Sequence, residues 1–207
     1  MKKLLSLILT FACLVAFGTQ TIFASSLSFE KGDVKMVFEK ERADVTVKKI
    51  YEDMFMSSNL KEAIVTYEEA LELIKPTTLL IVTDTQSPRL LMFPDLINKV
   101  EKLSVIDHHR AGEAGYKETL SYYVETSASS TVELISEMFL FYNQNIEVMP
   151  FAASVMLSGI VVDTNNFTYR TRTRTFEAAS TLNTMGADMV LVRKLLRDSY
   201  EEERRIA

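Results

Sequence analysis

Between residues 62 and 107 short apolar runs alternate with amphipathic stretches, and the spacing of the apolar positions changes at each junction. "EAIVTY" (62–67) reads as a short strand. "EEALELI" (68–74) places Ala70, Leu71 and Ile74 at helical spacing, and Pro76 ends that helix. "TLLIVTD" (78–84) is a continuous apolar run of strand length that closes on Asp84. "FPDLINKVEKL" (93–103) restarts a helix with Pro94 near its first turn, and "LSVID" (103–107) is the next buried strand, closing on Asp107. This alternation predicts an α/β fold, a parallel sheet with crossover helices on both faces. Ligand chemistry in such sheets gathers outside the carboxyl ends of the strands. Asp84 and the Asp107-His108-His109 triplet are placed there.

The second half is more helical. "SASSTVELISEMFLFY" (127–142) opens on capping residues, with Glu133 close behind Ser130 and Thr131. "FAASVMLSGIVVDT" (151–164) is apolar almost all round, which predicts a buried helix, and it ends on Asp163. "FTYRTRTRTF" (167–176) alternates Arg170, Arg172 and Arg174, which on a strand would share one face. Two helices then flank Gly186. Ahead of residue 62 the pattern is weaker: Val34 to Phe38 alternate like a strand, and Val45 to Met56 suit a helix.

The N-terminus stands apart. Lys2 and Lys3 precede an apolar stretch from Leu4 to Phe17, and small residues follow at Ala24 and Ser25. That is the pattern of a secretory signal peptide or a short membrane anchor, and residues 1–26 are set outside the fold on this basis. A cleaved leader exports the chain; an anchor keeps the remainder in the cytoplasm at a membrane.

Composition narrows the chemistry. The net charge of −5 without a long basic run argues against wrapping duplex nucleic acid. One cysteine, Cys13, excludes an internal disulfide framework, and so few Cys and His exclude a structural zinc knuckle. What remains is a set of carboxylates that end apolar runs, Asp84, Asp107 and Asp163, with the only two histidines of the chain beside one of them. A carboxylate at the end of a buried strand is costly unless paired or coordinated. A single such Asp could merely cap a turn; three with an imidazole make an oxygen-rich site suited to Mn²⁺, Mg²⁺ or Fe²⁺. Such an ion serves phosphoryl or acyl hydrolysis. His109 is then a ligand, a general acid or a donor to phosphate, and the arginines either offer guanidinium groups to phosphate oxygens or form a solvated charged edge.

Four ordered blocks, "TLLIVTDTQSPRLL", "SVIDHHRAGE", "YVETSASSTVELISEM" and "LSGIVVDTNNFTYRTRTRTFEAASTLNTMGADMVLV", resemble successive motifs of the DHH phosphoesterase superfamily, and most of all its GdpP-type cyclic-di-AMP phosphodiesterases. The resemblance covers residues 46–203. It implies a manganese-dependent hydrolase that opens cyclic di-AMP to linear pApA. Asp84 matches the aspartate that bridges two manganese ions, and His108 and Asp163 match ligands of one of them. Asp107 resembles a group that orients the site, and His109 matches the histidine facing the substrate phosphate. Ser129, Ser130, Arg170 and Arg174 fall in blocks lining the site. The family's opening His-x-x-x-Asp-x-Asp motif, which supplies the remaining ligands of both ions, has no counterpart here.

The expectation is therefore a leader or anchor over residues 1–26, an unassigned lead-in over 27–45, and a partial DHH domain over 46–207 with ligands for one metal. A sheet without its opening strands exposes an edge and apolar surface, which calls for a second copy or a complementing chain. The alternative functions are a non-catalytic or complementing fragment, and a nanoRNA phosphatase or RecJ-type oligonucleotide phosphoesterase.

Overall fold

In the computed structural model the described residues are 22–24, 34–43, 47, 48, 50–52, 64–110, 116, 119–141 and 148–206. Six strands form one sheet: β1 (Ile22–Ala24), β2 (Val34–Val37), β3 (Ile64–Val65), β4 (Leu79–Thr83), β5 (Lys102–Asp107) and β6 (Ser121–Val124). Among the described residues, α-helices run over α1 (Tyr67–Leu73), α2 (Thr131–Phe141), α3 (Pro150–Asp163), α4 (Thr173–Thr184) and α5 (Met189–Ile206). The strand order is β3-β2-β1-β4-β5-β6. Pairing is parallel for β2 with β3 and through β4, β5 and β6, while β1 runs antiparallel to both of its neighbours. The five other strands thus point the same way, and the predicted α/β architecture with parallel strands and flanking helices is the one observed.

Strand β1 is the departure. It lies within the segment that the sequence sets outside the fold, yet Ile22 pairs with Met36 on one side and Ile81 on the other. Ile and Phe suit a strand as readily as an apolar helix, so the composition of this stretch did not decide its partner. Of the helix expected over 45–56, residues 47, 48 and 50–52 are helical and the others lie outside the described residues.

Alternation along β5 divides the core. Leu103 and Val105 face one layer, where Leu80, Val82, Ala70 of α1, Leu91, Phe93 and Leu96 are packed. Ile106 and Ile81 face the other, against Ile135 of α2, Val155, Met156 and Ile160 of α3, Leu182 of α4 and Val192 of α5. Leu96, Leu134, Met156 and Ile160 are fully buried. Truncating any one of them to Ala removes about 2–5 kcal/mol by lost transfer and the cavity left behind.

Local signals explain most element ends. Helix α1 starts on a capping box: Thr66 Oγ1 accepts from the Glu69 N–H at 3.2 Å, and Glu69 Oε2 accepts from the Thr66 N–H at 2.8 Å. The helix predicted over 93–103 is shorter than its pattern, a 3₁₀ run at Pro94–Lys99, because β5 claims the chain from Lys102. Between α4 and α5, Gly186 has φ +96, and a Cβ there would meet Pro150 at 3.1 Å; the turn and the start of α3 both need glycine.

Candidate metal centre

The strand order turns back between β1 and β4, and the carboxyl end of β4 stands at that point. Asp84 follows the last residue of β4 with φ +63, a left-handed conformation that Asp tolerates better than most residues. Its N–H donates to the Ile106 carbonyl at 2.9 Å, so the turn stays tied to β5. Thr131 Oγ1, at the first residue of α2, donates to Asp84 Oδ1 at 2.7 Å.

At the end of β5, Asp107 is fully buried. Its Oδ1 accepts from the N–H groups of His108 (2.7 Å) and His109 (3.1 Å) and lies 2.7 Å from His109 Nδ1. One carboxylate oxygen thereby folds the Asp-His-His turn and fixes the His109 ring. Burial would raise the Asp107 pKa, but the hydrogen bonds from the His109 ring and the two N–H groups prevail and hold it below the ordinary carboxylate range. The same contact with Asp107 raises His109, whose ring is 53% exposed.

His108 sits in opposite circumstances. It is 3% exposed, and neither ring nitrogen has a partner in hydrogen-bond geometry, although the Ala128 backbone is near enough to act on the ring. Its Nε2 lies 3.5 Å from Asp84 Oδ1 and 3.8 Å from Asp163 Oδ2. Burial and the neighbouring His109 charge push the His108 pKa down to about 4, so the ring is neutral. Burial pushes Asp84 up to about 6; burial and the Asp84 charge push Asp163 up to about 7. A neutral imidazole with two orphaned nitrogens between two strained carboxylates is a poor stability device. It is a good ligand set: N and O donors around one point suit a hard or borderline divalent ion.

Asp163 reaches this point from the last turn of α3. The helix is closed by Thr164, whose Oγ1 donates to the Ile160 carbonyl at 2.6 Å and accepts from the Phe167 N–H at 2.9 Å. Asn165, Asn166 and Phe167 then run left-handed at φ 46, 58 and 61. Asn accommodates that region, but at Phe167 it costs about 1–2 kcal/mol, strain held next to the cluster.

Asp84, Asp107, His108 and His109 offer donor atoms within 4.8 Å of one another. Asp107 Oδ1 and His109 Nδ1 are already bound to each other, while Asp107 Oδ2 is buried without a partner, so Asp107 keeps one donor to give beside Asp84, His108 and Asp163.

The remaining predicted residues fall into two groups. Arg170 (φ 53) donates from Nη2 to the Thr126 and Ala128 carbonyls at 3.1 and 3.4 Å, and its charge acts on both His108 and Asp163. Ser129, Ser130 and Arg174 serve the scaffold. Ser129 Oγ donates to Glu133 Oε2 at 2.5 Å, and Ser130 Oγ accepts from the Glu133 N–H at 3.0 Å. Arg174 grips both oxygens of Glu137, at 2.5 and 2.7 Å. The strand face expected for the three arginines does not form. Residues 164–170 turn and α4 begins at Thr173, with the Arg172 N–H donating to Thr175 Oγ1 at 3.1 Å.

Two residues that the sequence did not single out brace the site. Gln86, 5% exposed, donates from Nε2 to the His109 carbonyl and accepts from the Tyr122 hydroxyl through Oε1. It joins the loop after β4, the turn after β5 and strand β6. Nothing in its sequence context marks this, since both partners are distant along the chain. Away from the site, a cavity of about 630 Å³ lies beyond β2 and β3, lined by Phe38, Tyr51, Tyr67 and Phe93 among others.

The sequence model of the DHH family, N-terminal domain, matches residues 16–160 of this chain. The chain belongs to the DHH family. Among curated proteins this DHH chain is 42% identical over 164 residues to the cyclic-di-AMP phosphodiesterase GdpP of Geobacillus thermodenitrificans, covering 79% of this chain and 25% of that protein. It is 38% identical over 166 residues to the protein of the same name from Bacillus subtilis, covering 80% of this chain and 25% of the relative. The chain thus spans about a quarter of the length of these relatives. Among solved structures, an exopolyphosphatase-related protein from Bacteroides fragilis superposes with a TM-score of 0.57 at 19% identity, over 68% of this chain and 42% of its own. That likeness supports the DHH fold assignment alone.

Proposed function

We propose that this chain is a metal-dependent phosphodiesterase module that takes Mn²⁺ through Asp84, His108 and Asp163 and opens cyclic di-AMP to linear pApA. The observation that carries the metal reading is His108, buried and unpartnered at both nitrogens between two carboxylates. The substrate reading draws support from the identity to proteins named cyclic-di-AMP phosphodiesterases. When bound, such an ion supplies charge against phosphoryl oxygens and a water acidified by coordination. The chain's own residues do the rest. Asp107 holds His109 in one orientation and favours its protonated form, so an exposed imidazolium is available to protonate a leaving oxygen. Arg170 adds a positive charge beside His108 and Asp163. Ser129 and Ser130 hold the amino end of α2, and the Thr131 hydroxyl at its first residue donates to Asp84.

Incubation of the full chain with Mn²⁺ and cyclic di-AMP, followed by chromatography, tests this reading. Linear pApA should form, and should not form with Asp84→Ala. Parallel reactions with pApA and with short RNA separate the cyclic-dinucleotide reading from a nanoRNA or oligonucleotide phosphoesterase. A folded chain that binds Mn²⁺ without turning over any of these is a metal-binding fragment that needs a complementing chain or a second copy. The antiparallel entry of β1 beside Asp84 is the observation that favours this second reading.

Location is part of the proposal. The apolar N-terminal stretch supports a membrane tether with the domain in the cytoplasm. No helix among the described residues is long and apolar enough to cross a membrane. Fractionation with protease protection tests the tether: a sedimenting chain digested only after cells are opened supports it, and a secreted chain overturns it.

A further inference from the structure

We propose that the cavity at the carboxyl ends of β2 and β3 is a binding site for a purine nucleoside, held by its base against Tyr51 and Tyr67 and separate from the metal centre.

The strand ends build its walls. Phe38 follows the last residue of β2, and its N–H donates to the Val65 carbonyl at 3.1 Å, while Tyr67 opens α1 directly after β3 and its cap. Phe38 stacks on Tyr51 with ring centroids 5.0 Å apart, and Phe93 stacks on Tyr67 at 5.2 Å. In each pair the phenylalanine is buried, 6% and 8% exposed, and the tyrosine is half-buried. Two tyrosine rings are thus backed from behind in the wall of a cavity of about 630 Å³. That volume lies within the range of small-molecule sites, and rings already held in place lose little freedom when a ligand stacks on them. The cavity lies on the same edge of the sheet as Asp84, where ligands of such sheets bind. Strand β1 stands between β2 and β4, so the two places are about 10 Å apart at the usual strand spacing. No member of the metal cluster lines the cavity.

Charge selects the ligand. Four carboxylates outnumber two cations in the lining, and both cations are engaged. Lys40 Nζ lies 2.6 Å from Glu52 Oε1, and the Arg42 guanidinium lies over the Phe93 ring at 5.4 Å and 3.5 Å from Glu39. Glu68 and Asp95 are exposed, and neither pairs with a cation among the described residues. A phosphate would meet net negative charge there. A neutral purine brings what the lining lacks: amino and ring N–H donors for the carboxylates, and π faces for the tyrosines.

Because this site owes nothing to the metal, its test starts without one. The full chain, stripped with EDTA, is titrated calorimetrically with adenosine and with adenosine 5′-monophosphate, and again after Mn²⁺ is restored. We expect adenosine to bind equally well in both states, and more tightly than the monophosphate in the metal-free chain. Tyr51→Leu and Tyr67→Leu should each weaken adenosine binding by about fivefold or more, with circular dichroism confirming the fold. Glu68→Gln and Asp95→Asn, exposed changes that leave the core alone, should each weaken it by about three- to tenfold. No adenosine binding in folded protein, or binding indifferent to all four substitutions, would overturn the proposal. Binding that appears only with Mn²⁺ would place the nucleoside at the metal centre, overturning the proposal and leaving the metal reading standing.

Discussion

Two buried polar clusters meet at the first turn of α2, and they follow opposite rules. Glu133 is 1% exposed, yet its carboxylate accepts from the Ser129 N–H, the Ser129 hydroxyl and the Thr175 hydroxyl. Two residues earlier, Thr131 reaches the other way, to Asp84, and so to His108, which is as deeply buried and has no partner at either ring nitrogen. The first cluster is closed around Glu133 Oε2, which has three donors, with Arg174 Nε 3.9 Å from Oε1, and it ties α2 to α4. The second is open, with unspent donors and carboxylates whose protons are held above their ordinary range. Burial alone distinguishes nothing here; the count of unsatisfied atoms does.

Crossed substitutions test the contrast most severely. Glu133→Leu should cost about 2–4 kcal/mol of stability, because Ser129 and Thr175 lose their acceptor in a dry environment. His108→Leu should do the reverse. It should leave the metal-free protein as stable as before or more so, while weakening Mn²⁺ binding by about a hundredfold or more, since a first ligand outweighs the 10–100-fold typical of its supports. Urea unfolding of the metal-free variants and titration calorimetry with Mn²⁺ read the two effects separately. A His108→Leu chain that unfolds as easily as Glu133→Leu would erase the distinction between the clusters.

Asp107 lies between the two kinds. It is as buried as Glu133 and three N–H donors converge on it, but its work is to aim the histidines. Asp107→Asn should lower Mn²⁺ affinity by about 10–100-fold and also destabilise the turn, by about 1–2 kcal/mol.

How much of this was legible in the sequence follows from where each signal resides. Asp84, Asp107 and Asp163 stood out because each ends an apolar run, and a charge there needs a reason; the structure brings all three to one edge. The Ser130-to-Glu133 cap was readable because it is local. Its continuation to Thr175 was not, because that contact joins residues 42 apart in the chain. The Arg-Thr alternation read as a strand, but the pattern from Thr173 onward is helical over twelve residues and outweighs a short two-residue period. Strand β1 was hidden by composition, since an apolar run carries no mark of the partner it will choose.

The open cluster should also show itself in pH. Asp84 and Asp163 are raised to about 6 and about 7, so between about pH 4 and 7 the folded chain keeps protons that the unfolded chain releases, and metal-free stability falls as pH rises through that window. His108, lowered to about 4, opposes this up to about pH 6.5, because there the unfolded chain binds the extra proton. Asp163→Asn removes one of the two falling contributions. Relative to the parent, the metal-free variant should gain about 2–3 kcal/mol between pH 4 and pH 7. Equal stability curves for the two proteins across this range would mean that Asp163 is not strained by its site.

The smallest effect tests which cluster Gln86 belongs to. Its amide spends both ends, donating to the His109 carbonyl and accepting from Tyr122, so by bonding it resembles the closed cluster. By position it belongs to the open one, since the carbonyl it holds is that of the residue following His108. Tyr122 is 45% exposed, so Tyr122→Phe removes one hydroxyl contact at small desolvation cost, and about 0.5–1 kcal/mol is the most it should take from stability. If the brace exists to fix the turn, the loss should appear in Mn²⁺ affinity, about two- to fivefold by the same energy, and Gln86→Leu should exceed it. A melting temperature lowered with affinity unchanged would place Gln86 and Tyr122 with Glu133, as scaffold that happens to lie beside the site.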